Sequence, residues 1–557
     1  MVRSLFKVFN REARGMHEAA YVLAAFALGS QFLALVRDRL LAASFGASHT
    51  LDLYYAAFRI PDFLFATLAS LLSLYALLPV LSRLEQVHTG PMVSFLRKAL
   101  LIFFVVMSAV SALVWVYVPQ LVLVLSPKIA SPELVFLARI LLLQPIFLGA
   151  SNILASLTQL RHRFFLYSIS PLLYNIGIIF GVLALYPRFG VAGLGWGVVL
   201  GAFLHLCVQV PFFAREHAEP PLSWKLAYKE CAAVLALSVP RTLALAAGQI
   251  SLFALVGIAS FFSAGSISVF MFAFNLQAVP LTIIGVSYSV AAFPSLARLH
   301  AAGKRQEFAE YVETALRHIF FWTIPATVFV IVMRAQLVRV VLGAGAFSWE
   351  ATRLTAAALA LFVLALAAQS VTLLIARAYY AAGNTRKPLY WGVVDVVVSV
   401  LSSLLFVAAF NHSSSLRAFV EALLRVADVP GTVVLMLALG YALGSVAQFG
   451  AGFYFFMRDF EVPRARLGRL VFQSFAASVI GGAAAYLILT ISGMAETINT
   501  LLGLVLQGTI AGAVELSVTA LVLMLLKNEE LHEALAAANR KFRPTAVPAL
   551  EATEVSS

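Results

Sequence analysis

The chain has few of the residues that soluble enzymes and disulfide-stabilised secreted proteins use. Charged residues make up only 12% of its 557 positions, and there are two cysteines, Cys207 and Cys231. These cysteines fall at opposite ends of one predicted loop, which argues against a disulfide between them. The sequence also lacks a P-loop, an HExxH motif, paired CxxC motifs and a defensible catalytic triad. It therefore gives no support to a disulfide scaffold or to an enzyme.

Long apolar segments are what the chain has instead. Hydrophobic residues make up 62% of it, and its mean hydropathy is +0.93. Uncharged apolar runs of about 17 residues or more are typical of transmembrane helices, and we count about fourteen. We therefore predict an all-α polytopic membrane protein with about 14 transmembrane helices. The predicted spans are 18–45, 51–83, 92–125, 132–158, 165–187, 190–214, 231–262, 265–298, 311–333, 351–382, 389–410, 431–457, 468–493 and 499–526.

The basic residues predict the orientation of the spans. Most of the 39 Lys and Arg fall in the N-terminal stretch, the even-numbered loops and the C-terminal tail. By the positive-inside rule, both termini are then cytoplasmic. The net charge of +13 is accordingly explained by loops that face anionic lipid rather than by nucleic acid. Basic and apolar residues are mixed in 1–17, which predicts an interfacial amphipathic segment, and 528–557 is predicted to be a cytoplasmic tail.

One segment of the chain is repeated. Residues 46–61 align without a gap with 265–280; each copy opens at glycine and ends at proline, Pro61 or Pro280. The copies are separated by an even number of spans, so they should superpose after a rotation of about 180° around the membrane normal. Such transporters bind substrate between their halves, which makes the two prolines candidate hinges, with simple kinks as the alternative. The predicted divisions are an N-lobe (18–214), a C-lobe (215–457) and two further helices (458–527).

Polar residues inside the spans are candidates for the substrate site, because they are costly there and usually face a cavity. Arg37, Asp38 and Arg39 lie near the end of span 1, and Asp52 and Arg59 lie in span 2. Adjacent helical residues point about 100° apart, so Arg37 and Asp38 should pair with other residues, Asp52 and Arg59 being nearest. The alternative is a structural ion pair at the membrane edge.

The matching region of the second copy is neutral. Asn275 and Gln277 lie just before Pro280. Cations on one side of a cavity and amides on the other suit a large polar, anionic head group, whereas amides that only join helix to helix are the alternative. Asp395 in span 11 and Glu515 in span 14 are single acids that could carry a proton or a cation, or pair with a neighbouring helix.

Several stretches resemble the MurJ (MviN) family. They include Leu35-Val-Arg-Asp-Arg-Leu-Leu-Ala-Ala-Ser-Phe-Gly-Ala, Ser170-Pro-Leu-Leu-Tyr-Asn-Ile-Gly and Arg377-Ala-Tyr-Tyr-Ala-Ala-Gly-Asn-Thr-Arg. The resemblance implies a lipid II flippase of the MOP superfamily, which moves undecaprenyl-linked disaccharide-pentapeptide to the outer leaflet of the bacterial inner membrane for peptidoglycan synthesis. It also implies two six-helix lobes around a cationic cavity, with the last two helices lining a groove for the lipid tail.

The resemblance also assigns expectations to single residues. Arg37 matches a cavity cation of the family, whereas Gln31 and Asn275 stand where the family usually has arginine. Arg59 lies close enough to compensate. Asp395 matches one of two acids with which some family members look as if they coordinate sodium. Leu255 stands at the position of the second acid, which argues against sodium coupling.

The predicted function is alternating-access export of lipid II. The alternatives are a MOP-superfamily exporter of another lipid-linked glycan or small molecule, and a non-transporting cell-wall scaffold. We expect no cofactor, no metal site, coupling to a monovalent cation or a proton, and contacts with the phospholipid bilayer and cell-wall synthesis proteins. Predicted substrate-binding residues are Gln31, Arg37, Asp38, Asp52, Arg59, Asn275 and Gln277, with Asp395 as the coupling candidate and Pro61 and Pro280 as hinges.

Overall fold

The described part of the chain is helical throughout, as predicted. The structure is a computed structural model, and it describes residues 16–72, 77, 80–81, 84, 92–161, 163–215, 222–461, 465–495 and 500–542, in which there is no β-strand. Most of the predicted segment 1–17 and the end of the predicted tail therefore lie outside the described residues. The helices are α1 Met16–Phe45, α2 His49–Ala57, α3 Arg59–Thr67, α4 Met92–Leu125, α5 Pro132–Leu141, α6 Gln144–Leu160, α7 Phe164–Phe180, α8 Tyr186–Phe189, α9 Val191–Cys207, α10 Val210–Ala214, α11 Trp224–Ala259, α12 Ser266–Pro280, α13 Ser287–Ala301, α14 Arg305–Leu342, α15 Trp349–Val363, α16 Leu366–Ala381, α17 Arg386–His412, α18 Ser414–Leu424, α19 Leu435–Phe460, α20 Ala465–Ala495, α21 Leu501–Leu525 and α22 Glu529–Phe542.

Each predicted span coincides with helix where the chain is described. Among the described residues, 10 helices are long and apolar enough to cross a bilayer, and the pair α15–α16, bent by 46°, makes up to 11. The other predicted spans, 18–45, 51–83 and 231–262, are helical in their described parts but are not among them. The all-α membrane fold is thus confirmed, whereas the total of fourteen spans stays a prediction.

The helices pack in two groups with a C-terminal pair attached. In the first group, α7 packs against α1 and α9, α9 also packs against α5 and α6, and α2 and α3 pack against α5 and α6 respectively. In the second, α17 packs against α19, α14 packs against α15 and α16, and α12 packs against α15. Helices α20 and α21 pack against each other, and both contact α14. Helix α11 packs mainly on α17 but also touches α3 and α4, so it joins the two groups.

Glycines bring α7 and α9 into backbone contact. A Cβ built on Gly197 would lie 2.4 Å from the Cα of Gly181, and one on Gly201 would lie 2.4 Å from the carbonyl oxygen of Tyr174. Gly177 on α7 and Gly181 in the π-helical turn that follows it thus face Gly197 and Gly201 on α9, a pair of small-xxx-small patterns. Lipid gives helices no hydrophobic reason to associate, so close packing of this kind is what holds them together.

We expect Gly197→Ala to lower the melting temperature of the purified protein in detergent. The new methyl group would meet the backbone of Gly181, which moves only if the two helices separate. Overpacking of this kind costs about 1–3 kcal/mol. The matched control is Gly248→Ala, because nothing lies within 4 Å of a Cβ at that helical position. Equal melting temperatures for the two variants would contradict the prediction.

Candidate functional site

Arg37 on α1 is paired with its own neighbour in sequence. Its Nε donates to Oδ1 of Asp38 at 2.9 Å, and its Nη2 lies 2.9 Å from the same oxygen. Its Nη1 donates to Oδ1 of Asn175 on α7 at 3.1 Å. The prediction that Arg37 and Asp38 must find partners elsewhere is therefore wrong. The long guanidinium side chain folds back along the helix and reaches a carboxylate whose Cβ points in another direction.

Asp38 connects the two groups of helices. Its Oδ2 accepts a hydrogen bond from Nδ2 of Asn275 on α12 at 3.1 Å, while its Oδ1 holds Arg37. The side chain of Arg37 remains 20% exposed, whereas that of Asp38 is 4% exposed. The cation, the acid and the amide predicted for the substrate site are thus together in one chain of hydrogen bonds that runs from α7 to α12.

Asp52 on α2 caps a helix of the other group. Its Oδ2 accepts from the backbone N of Gly265 at 2.6 Å, and its Oδ1 accepts from the backbone N and Oγ of Ser268 at 2.7 and 2.6 Å. These donors belong to the first turn of α12, where a carboxylate satisfies free N–H groups and interacts favourably with the helix dipole. Asp52 is only 2% exposed. Its partners are therefore neither Arg37 nor Arg59, contrary to the prediction.

Arg39 caps the C-terminal end of a helix, α14, whereas Asp52 caps an N-terminal end. Its Nη1 donates to the carbonyl oxygens of Val340 and Val341, at 2.6 and 3.3 Å, in the last turn of α14. A cation at a helix C-terminus is favoured by the same dipole that favours Asp52 at an N-terminus. Two side chains of the first group thus bind two helix ends of the second.

Two glycine turns bring the backbones together at these caps. Gly46 and Gly265 have φ of 63° and 91°. Gly265 is the N-cap of α12, whereas Gly46 directly follows α1 in the turn before α2. A Cβ on Gly46 would lie 2.6 Å from the carbonyl oxygen of Ala346, and one on Gly265 would lie 2.6 Å from that of Ala47. We call the contacts of residues 39–52 with 265–268 and 340–346 the lobe contact. The rotation of about 180° that should relate the two copies stays a prediction.

Arg59 on α3 is buried rather than turned toward lipid or bulk water. It is 8% exposed; its Nε donates to the carbonyl oxygen of Tyr55 at 3.2 Å, and its Nη2 lies 3.4 Å from Oδ2 of Asp62. The other oxygen of Asp62 accepts from Gln144 on α6 at 3.5 Å. Nη1 of Arg59 is buried and has no hydrogen-bond partner among the described residues. Arg59 therefore keeps a free donor inside the protein.

The remaining predicted amides differ in their surroundings. Gln277 donates to Gln369 at 2.6 Å, and Gln369 donates to Ser445 at 3.1 Å, so this amide joins helices of the second group to each other. For Gln277 the structure therefore shows the alternative to substrate binding, an amide that joins helix to helix. Gln31 is half-buried on α1, and no hydrogen bond of its side chain is seen within the part of the chain that the structure describes. Only Asn275 reaches across to the first group.

Asp395 on α17 is a buried acid with a single weak partner. It is 6% exposed and accepts from Oγ of Ser399 at 3.3 Å. Leu255 is fully buried, as an aliphatic residue should be. Among the residues that the structure describes, no three His, Cys, Asp or Glu side chains gather into a metal-binding group. An acid in this position can take up a proton or one monovalent cation.

The two predicted hinge prolines lie at interruptions of their helices. The helix of the second span breaks at Phe58 between α2 and α3, and Pro61 sits in the first turn of α3. Pro280 ends α12 and is followed by a turn of π-helix, Leu281–Val286. Proline removes a backbone hydrogen bond, and π-turns mark local mismatches in a helix. Both copies are therefore interrupted near their prolines, although a hinge motion remains a prediction.

Three polar residues of the site were missed from the sequence. Asp62 directly follows Pro61, and its position beside a candidate hinge was the available signal. Asn175 lies in one of the stretches that resemble the MurJ family, but nothing in that stretch identifies its partner. Gln144 begins α6 far from Asp62 in sequence. Only the packing of α3 against α6 brings those two together.

A sequence profile of the family described as "Lipid II flippase MurJ" matches residues 41–414. The chain belongs to the MurJ family. The match begins in α1 and ends at the start of α18, so it includes most of both helix groups and the lobe contact apart from Arg39. The resemblance stated from the motifs is thereby confirmed.

Curated relatives agree with the family profile. The chain is 26% identical to a lipid II flippase MurJ of Burkholderia cenocepacia over 410 residues, which cover 72% of this chain and 80% of the relative. It is 27% identical to a probable lipid II flippase MurJ of Bdellovibrio bacteriovorus over 491 residues, covering 83% of this chain and 92% of the relative. The similarity thus extends over most of each protein.

Solved structures share the fold. A lipid II flippase MurJ in an inward closed conformation matches with a TM-score of 0.72 at 20% identity, covering 91% of this chain and 100% of that chain. An inward-facing MATE family transporter of the MOP superfamily matches with a TM-score of 0.63 at 13% identity, covering 79% and 98%. At these identities the two likenesses show a shared fold. The expectation of a non-enzyme agrees instead with the description of the matching family, a lipid II flippase.

Proposed function

We propose that the chain moves lipid II from the inner to the outer leaflet by alternating access of its two helix groups. Membership in the MurJ family supports the substrate, since the family description and the curated relatives name lipid II. The lobe contact supports the mechanism, because within it the two groups meet through hydrogen bonds to helix ends and close glycine turns. Such a contact can break and reform without repacking either group.

The chain of hydrogen bonds from Arg37 through Asp38 to Asn275 carries this proposal. The same carboxylate holds the candidate substrate cation and joins the two groups. A diphosphate that bound Arg37 would compete with Asp38 for the guanidinium and would repel that carboxylate. The Asp38–Asn275 bond would then weaken. Binding of the head group would thereby favour separation of the groups, as a ligand must if it is to shift such an equilibrium.

The charges at the site restrict how a diphosphate can bind. Arg37 faces Asp38, and Arg59 faces Asp62, so each cation already has an acidic partner. A guanidinium has five N–H groups, and those of Arg37 that do not point at Asp38 or Asn175 can still donate. Arg59 adds the unpartnered Nη1. A bidentate guanidinium–phosphate pair is favourable enough to replace the weaker of these contacts.

The setting of this activity follows from the family and the apolar helices. The protein is a multi-pass membrane protein, and the family implies the bacterial inner membrane. We further place both termini in the cytoplasm, from the distribution of Lys and Arg. Asp395 is our candidate for coupling to a proton or a monovalent cation. In this role we expect the protein to contact the phospholipids of the bilayer and proteins of cell-wall synthesis.

Complementation tests the proposed function. The full chain should restore growth to a bacterial strain that is depleted of its own lipid II flippase. To separate transport from scaffolding, the double variant Ala43→Cys/Ala346→Cys should be compared with its two single-cysteine controls, since the backbone N of Ala346 donates to the carbonyl oxygen of Ala43 at 2.8 Å. A disulfide there should abolish rescue until reductant is added. Rescue by the locked protein would indicate a scaffold, and no rescue by the wild type would favour another exported substrate.

A further inference from the structure

Glu515 is a buried acid without a partner. It lies in the middle of α21, is 1% exposed, and neither carboxylate oxygen has a hydrogen bond to any described residue. Asp52, by contrast, is equally buried but accepts three hydrogen bonds. Buried polar groups in proteins nearly always find partners. An orphaned carboxyl group in the middle of a membrane helix therefore needs an explanation.

The surroundings of Glu515 are three closely packed helices. A Cβ on Gly481 of α20 would lie 2.8 Å from the carbonyl oxygen of Glu515, while one on the adjacent Gly482 would lie 2.5 Å from the side chain of Val328 on α14. On α21 itself, a Cβ on Gly512 would meet Phe329 at 2.8 Å. The backbone on either side of Glu515 is thus tightly packed where α14, α20 and α21 meet. The hydroxyl of Thr519, one turn further along α21, donates to the carbonyl oxygen of Ala477 rather than to Glu515.

Charged and titratable side chains of the packed helices lie at other levels of the bundle. Arg334 of α14 and Tyr486 of α20 lie toward one end, each more than a turn from Val328 and Gly481. Toward the other end, Arg317 of α14 binds Glu529 and Glu530, and His318 lies 3.6 Å from Glu533 of α22. None of these groups is placed to neutralise an ionised Glu515.

We propose that Glu515 is a proton-binding site that holds the α20–α21 pair against α14. An isolated ionised carboxylate in an apolar interior is so costly that the group takes up a proton instead. A metal or alkali cation would need several oxygen ligands, whereas no described residue makes a hydrogen bond with either carboxylate oxygen of Glu515. A proton needs only the carboxylate itself. This site is separate from the proposed lipid II site and does not depend on it.

Loss of the proton should loosen the three-helix junction. The ionised form would need water or a counter-ion, and either one requires α20 and α21 to move away from α14. The packing should therefore be strongest at low pH and should weaken as rising pH removes the proton. Glu515→Gln is the neutral isostere, so it should keep the junction closed at every pH.

Carbodiimide labelling tests the protonation directly. Dicyclohexylcarbodiimide reacts with protonated carboxyl groups in apolar surroundings, so the full chain in liposomes at pH 7 should acquire an adduct on Glu515, detected by peptide mass spectrometry. The exposed Glu310 is the internal control and should stay unlabelled, and Glu515→Gln should lose the adduct. The infrared spectrum should show one protonated carboxyl band that is absent from Glu515→Gln. Identical infrared spectra of wild type and variant would overturn the proposal.

The melting temperature tests whether the proton on Glu515 holds α20 and α21 against α14. The melting temperature of the wild type in detergent should fall between pH 6 and pH 8.5, and that of Glu515→Gln should change less over the same range. If the Glu515 side chain were neutral over the whole pH range, the melting temperatures of the wild type and of Glu515→Gln would change with pH in the same way. Parallel pH profiles would therefore refute the role of the proton in closing the junction, whatever the growth assay shows about lipid II.

Discussion

Arg37→Ala should abolish rescue of a flippase-depleted strain while the protein still reaches the membrane in normal amount. A diphosphate in a medium of low dielectric constant needs a fixed cation, and the fork of a guanidinium can bind it with two hydrogen bonds. Arg37 is held between Asp38 and Asn175. The measurements are growth after depletion and the amount of the variant in isolated membranes.

Two further variants separate substrate binding from structural pairing. Removing Arg37 alone leaves the buried Asp38 without its cation, and an unpaired buried charge is itself destabilising. Arg37→Ala/Asp38→Asn removes both charges, so it should still fail to rescue growth if Arg37 binds substrate. Arg188→Ala is the matched control, because among the described residues this exposed arginine donates only to the carbonyl oxygen of Ala184 in its own segment. Growth of the double variant would show that Arg37 acts only as the counter-ion of Asp38 and is not needed to bind substrate.

Asp52→Ala should shift the protein toward the state in which the lobe contact is open. The change leaves the backbone N–H groups of Gly265 and Ser268 without their acceptor at the start of α12. Each buried donor left unsatisfied costs about 1–3 kcal/mol, so the closed state should lose roughly tenfold or more in relative population. The measurement is the yield of the disulfide between cysteines at positions 43 and 346, which should fall.

Asparagine at position 52 is the graded control. It keeps one acceptor oxygen and loses the charge, so Asp52→Asn should give a disulfide yield between those of the wild type and Asp52→Ala. An unchanged yield in Asp52→Ala would show that the glycine turns alone hold the groups together. Growth rescue should fall in the same order as the disulfide yield, because a transporter that rarely closes one side cannot alternate.

The spans could be read from the sequence because hydrocarbon thickness sets their length. A run of apolar residues long enough to cross a bilayer is a local property, so every predicted span coincides with helix where the chain is described. Hydropathy averages over many residues, however, and gives no sign of a bend. The 46° bend between α15 and α16 therefore appears only in the structure, whereas Pro61 indicated an interruption near Phe58. The motifs identified the family because they depend on residue identity rather than on contacts.

The sequence by itself determined the membrane fold, the two glycine turns and the family, since each of these is written in composition, order or spacing. Only the tertiary structure decided which polar side chains meet. Asp52 finds Ser268 and Asp38 finds Asn275 because helices far apart in the chain cross at those points. No periodicity within either helix encodes such a crossing. An unpaired polar group is costly inside the membrane, so the partner that each side chain finds decides its role. These crossings make Asp52 a helix cap and leave Arg37 as the candidate cation for substrate.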